Sequence, residues 1–124
     1  MLVVLTASGC SDDSPCVTSL NLECAPLYDP VYEQIFTRTI EPRCAVVDGS
    51  CHAGSAAQGG LRLDEIDLAY ENLVTDGRVL PGDASCSLMV VRIEGQGKLM
   101  PPGRALPDAE RCTIEQWIEN GAAR

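Results

Sequence analysis

Aromatic side chains are scarce in this chain: one Trp, one Phe and three Tyr make up 4% of 124 residues. A core with so few large flat groups either packs aliphatic side chains or holds a flat group that is not an amino acid. Positive charge is scarce too. Nine Lys and Arg against 18 Asp and Glu give a formal net charge of −9, so the phosphate-neutralising surface that nucleic-acid binding requires is missing. Such a surface favours solubility and, among protein partners, a basic one. No apolar run approaches the roughly 18 residues of a spanning helix, which leaves a lipid as the route to a membrane. The single histidine, His52, provides no second imidazole for a Ser-His-Asp arrangement around Ser87. With only Cys44 and Cys51 beside it, His52 also falls short of the four ligands of a zinc finger. There is no CxxC pair for dithiol catalysis and no GxxxxGK phosphate loop. Asp64, Glu65 and Asp67 read as capping and solvating a helix rather than as a general acid pair.

Cysteine, by contrast, is abundant: seven in so short a chain point to an oxidising compartment. The odd one is assigned by the N-terminus. Leu2, Val3, Val4 and Leu5 lead into Ala7, Ser8, Gly9 and Cys10, small residues before a cysteine as at a lipoprotein cleavage site. Residues 1–9 are thus a short or truncated signal segment, Cys10 the lipidated position, 10–26 a polar tether and 27–124 the domain. Localisation follows as periplasm or cell surface, anchored by lipid with no transmembrane helix. The other six cysteines allow many pairings; order along the chain points to Cys16 with Cys24, Cys44 with Cys51, and Cys86 with Cys112.

Helix signals fill the domain. Asp29 and Pro30 open a helix with Val31, Ile35, Phe36, Thr39 and Ile40 on one face, ending near Pro42. Asp64 caps a second through Ile66, Leu68, Ala69 and Leu73, which ends before Gly77. After a turn at Pro81-Gly82-Asp83, Asp83 or Ser85 caps a third helix with Leu88, Val91 and Ile93 facing in and Met89 as core. Leu106-Pro107-Asp108 begin the last, which carries Ile114, Trp117 and Ile118 and stops at Gly121. Four short helices, long loops and little strand signal give an all-α fold.

The chemistry is concentrated in Cys44-Ala-Val-Val-Asp-Gly-Ser-Cys51-His52. A CxxCH run attaches c-type haem: two thiols bond the vinyl groups and the imidazole ligates iron. Here six residues separate the cysteines, so the stretch reads either as a stretched haem site, with Asp48, Gly49 and Ser50 forming a bulge, or as a loop closed by a Cys44–Cys51 disulfide. Met100, in the loop Gly95 to Gly103, stands as a second iron-ligand candidate ahead of Met89.

Gly59-Gly60-Leu61-Arg62-Leu63, Ala69-Tyr70-Glu71-Asn72-Leu73, Pro81-Gly82-Asp83, Ser87-Leu88, Met100-Pro101-Pro102 and Trp117-Ile118 with Gly121-Ala122 follow in order. The series, spanning roughly Tyr28 to Arg124, resembles the class I cytochrome-c-like domains of planctomycete and myxobacterial lipoproteins. The resemblance implies a bundle of about four helices whose first and last pack together. It implies haem c attached through Cys44 and Cys51, with His52 and Met100 as axial ligands. It implies a one-electron carrier rather than an enzyme, exchanging electrons with a redox protein, a basic one suiting the charge. The alternative is a haemless domain of the same fold, with no cofactor, stapled by disulfides and serving a binding or structural role in the cell envelope.

Overall fold

The computed structural model describes residues 16–45, 52–53 and 57–124; Cys10, the 1–9 segment, Cys51 and the Asp48-Gly49-Ser50 bulge lie outside these. Among the described residues there are four helices and no strand, which makes the domain all-α. Helix α1 (residues 32–44) consists of an α turn Tyr32–Ile35, a π-helical turn Phe36–Ile40 and a second α turn Glu41–Cys44. Helix α2 (residues 66–75) passes likewise from α geometry, Ile66–Tyr70, into a π turn, Glu71–Thr75. Helix α3 is Leu88–Ile93 and α4 is Asp108–Glu119.

Two expectations for α1 are corrected. It starts after an extended Val31, which is 50% exposed, with Asp29 supplying a backbone carbonyl to Val31 rather than a cap. Tyr32 takes the buried place beside Ile35, Phe36, Thr39 and Ile40. The helix also runs past Pro42. A helical proline has no N–H and drives its ring toward the carbonyl four residues back; the wider π turn, with the Glu41 N–H on the Phe36 carbonyl, absorbs that conflict and carries the chain on to Cys44. At α2, Asp64 does not cap: its carboxylate takes both Arg62 Nε and Nη2, at 3.2 and 3.0 Å. At α3 neither Asp83 nor Ser85 caps. The residue before the helix is Ser87, a fully buried hydroxyl that donates to the Asp83 carbonyl and accepts the Leu80 N–H, each at 2.8 Å.

The scarce aromatics are gathered in one place. Tyr32 stacks on Trp117 with ring centroids 5.5 Å apart, Tyr70 meets Tyr32 edge-on at 5.1 Å, and Phe36 lies beside them. This cluster joins α1, α2 and α4, so the first and last helices pack together as the resemblance implies. A polar chain reinforces the joint: Tyr28 donates to Thr39 Oγ1, Thr39 donates to Glu110 Oε2 at 3.0 Å, and Arg43 reaches Glu110 Oε1 at 2.7 Å. The rest of the core is aliphatic, with Ile35, Ile40, Val90, Ile114 and Ile118 fully buried.

The chain-order disulfide pairing is overturned. Cys16 bonds to Cys86 and Cys24 to Cys112, across sequence separations of 70 and 88. The reason is the path of residues 16–26, the described part of the expected tether. The chain between Cys16 and Cys24 can reach roughly 25 Å when extended, and it lies as a strap from the start of α3 to the first turns of α4. The Val17 N–H bonds to the Ser85 carbonyl at 2.8 Å, Leu27 N–H to the Ala109 carbonyl at 3.1 Å, and Gln116 Nε2 to the Leu22 and Cys24 carbonyls at 3.0 and 2.9 Å.

Candidate functional site

Local hydrogen bonding sets His52. Its N–H donates to the Cys44 carbonyl at 2.9 Å and its carbonyl accepts the Leu63 N–H at 2.7 Å, so residues far apart in a stretched motif are held side by side. The ring Nδ1 lies 3.0 Å from the Leu61 carbonyl oxygen. A carbonyl only accepts, so Nδ1 carries the proton and the lone pair is on Nε2, the tautomer suited to metal ligation.

Met100 is positioned by the end of α3. Gly95, at φ 76°, follows the helix and turns the chain: its N–H returns to the Arg92 carbonyl at 3.1 Å and the Gln96 N–H to the Val91 carbonyl at 3.1 Å, the paired bonds of a Schellman cap. The Arg92 carbonyl also takes the Met100 N–H at 3.0 Å, folding the loop back against the helix.

Cys44, His52 and Met100 then line one open cleft of about 240 Å³, somewhat under the roughly 300–1,000 Å³ of small-molecule and cofactor sites. Leu61, Leu63 and Leu73 form one wall, and Leu88, Met89 and Ile93 another. No aromatic residue lines it. Among the described residues the charged ones in its lining are Arg78 and Arg92, against a net charge of −9 for the chain. Arg78 Nη1 donates to the Asn72 carbonyl at 3.0 Å, while Arg92 forms no ion pair among the described residues. Sequence reasoning missed both arginines; the signal was Arg92 set among Leu88, Val91 and Ile93. It placed Met89 in the core; Met89 is partly buried against that core and also lines the cleft.

The lining suits a largely apolar group that carries acidic substituents. Among the described residues no grouping of three or more His, Cys, Asp or Glu could hold a bare metal ion, but an imidazole and a thioether are the pair needed by an iron whose other ligands belong to a macrocycle. Cys16, Cys24, Cys86 and Cys112 are in the strap disulfides, away from this lining. Among the described residues no helix is long and apolar enough to cross a membrane.

Residues 49–103 match the family described as Planctomycete cytochrome C, a stretch that holds His52, most of the cleft lining and Met100 but neither α1 nor α4. Over those residues, less than half of its length, the chain is similar to that cytochrome c family. No curated protein and no solved structure gives a match.

Proposed function

We propose that the cleft holds a haem and that the protein is a one-electron carrier. The observation that carries this reading is the convergence of Cys44, His52 and Met100, spread over more than fifty positions of sequence, on one largely apolar cleft whose charged lining is cationic among the described residues. Haem c, when bound, supplies a reversible one-electron iron centre. The chain's own contributions are distinct. His52 presents Nε2 because Leu61 holds the proton on Nδ1, Met100 offers a thioether that favours the reduced state, the leucines exclude water, and Arg78 and Arg92 meet the acidic groups. Cys44 and Cys51 are the proposed attachment thiols. Cys10 is the proposed lipid anchor, which would place the carrier at the periplasmic or outer face of the envelope, beside a redox protein partner.

Protein matured in a host with haem-attachment machinery, then reduced and scanned, is expected to show a sharp Soret and α band and a mass increased by one haem. A colourless product carrying a Cys44–Cys51 disulfide would sink this reading in favour of the haemless envelope domain. That second reading draws on the two disulfides that brace the fold independently of the cleft.

A further inference from the structure

A second cavity, of about 290 Å³, is lined by the strap, by Glu94 just after α3 and by α4. Glu115 of α4 is 3% exposed, it lines this cavity with Glu94, the residue after α3, and its Oε1 has no hydrogen-bond partner. Arg111 Nε stands 3.2 Å from Glu94 Oε1 but is not aligned for a hydrogen bond. Asp108, on the rim and 96% exposed at its side chain, pairs with Arg111 Nη2. The strap brings Ser19, Leu20, Asn21 and the Cys24–Cys112 disulfide, none of them ionisable. Glu94 and Glu115 thus line one cavity together with Arg111, whose guanidinium is also engaged by Asp108, and burial penalises the second negative charge. Burial first, then the hydrogen bond and charge of Glu94, push Glu115 up to about 9 against the lowering effect of Arg111.

The two linings adjoin at the end of α3: Leu88, Met89, Arg92 and Ile93 line the cleft, and Glu94 directly after them lines the polar cavity. Successive Cα atoms are about 3.8 Å apart, so Glu94 is close enough to the cleft-lining residues for a unit charge on one side to act on the other through protein. We propose that Glu115 and Glu94 form a proton-binding site coupled to the charge of the redox group in the cleft. The coupling rests on the haem reading above. When a one-electron donor protein reduces the cleft, Glu115 takes up a fraction of a proton from solvent; when the electron leaves, that proton returns to solvent. An ionised Glu115 adds a negative charge that favours the more positive, oxidised state, so the reduction potential falls as pH rises through the titration.

Two measurements on the full chain test this. Carboxyl-carbon NMR is expected to show Glu115 titrating near pH 9, with the signal lost in Glu115→Gln; a titration in the ordinary carboxylate range overturns the proton site. In haem-loaded protein the potential is expected to fall with pH within about one unit of that titration, and the fall to vanish in Glu115→Gln and shift to lower pH in Glu94→Gln. A fall that persists unchanged in both variants, or no fall in the wild type, overturns the coupling. Protein that takes up no haem removes the coupling together with the functional reading, while the NMR titration stands independently and separates the two failures.

Discussion

Single side chains set the chemistry at both the cleft and the polar cavity. On the proposed haem reading Met100 is the softer ligand, and replacing it by Ala in haem-loaded protein is expected to lower the reduction potential, since a thioether stabilises reduced iron; an unchanged potential in voltammetry would remove the ligand assignment. At the polar cavity, Glu115 keeps a proton that the unfolded chain gives up at its ordinary value of 4.5, and holds it until about 9. Between those values the native state binds one more proton than the unfolded state, so stability falls with rising pH at no more than about 1.4 kcal/mol per unit and levels off above and below the window. Denaturant melts of wild type against Glu115→Gln check this: the difference between the two should shrink toward acid pH, and a constant difference from pH 5 to pH 9 refutes it. Glu115 was invisible as a buried acid in the sequence, because its position on the Cys112 stripe acquires meaning only when the strap covers that face.

Elements carry these residues into place, and the strap is the least expected of them. Its residues show no periodicity, so from sequence they read as a tether, yet they bond to Ser85, Ala109 and Gln116. Replacing Cys24 and Cys112 together by Ser is expected to cost about 2–4 kcal/mol of stability through the freed loop entropy, read by chemical denaturation; a loss under half of that would mean the hydrogen bonds alone hold the strap. The loop after α3 is equally specific. Gly95 sits at φ 76° with a position for Cβ only 3.3 Å from Leu99 Cδ1, so Gly95→Ala is expected to cost about 1–2 kcal/mol and to weaken the hold on Met100, visible as a change in the iron spectrum. The helices were far more legible. Ile114, Trp117 and Ile118 announced α4 and Gly121 its end, whereas Pro42 misled because proline's local rule says stop and only the π turn lets α1 proceed.

For the whole molecule, the acidic surface governs encounter. If the cleft exchanges electrons with a basic protein, the second-order rate should fall steeply as salt rises; stopped-flow mixing with a basic cytochrome-type acceptor at several ionic strengths measures it, and a flat or rising rate contradicts a partner of that charge. The sequence by itself determined the all-α class and the approximate places of the four helices, because amphipathic spacing and turn residues are local preferences written within a few positions of each other. Only the tertiary structure decided that Cys16 meets Cys86 and Cys24 meets Cys112, that Arg78 and Arg92 join the lining of a largely apolar cleft, and that Glu94 and Glu115 line one cavity at the end of α3. Each of these depends on which distant segments come within a few ångströms of one another, and that is settled by the joint packing of strap, helices and core rather than by any one stretch of chain.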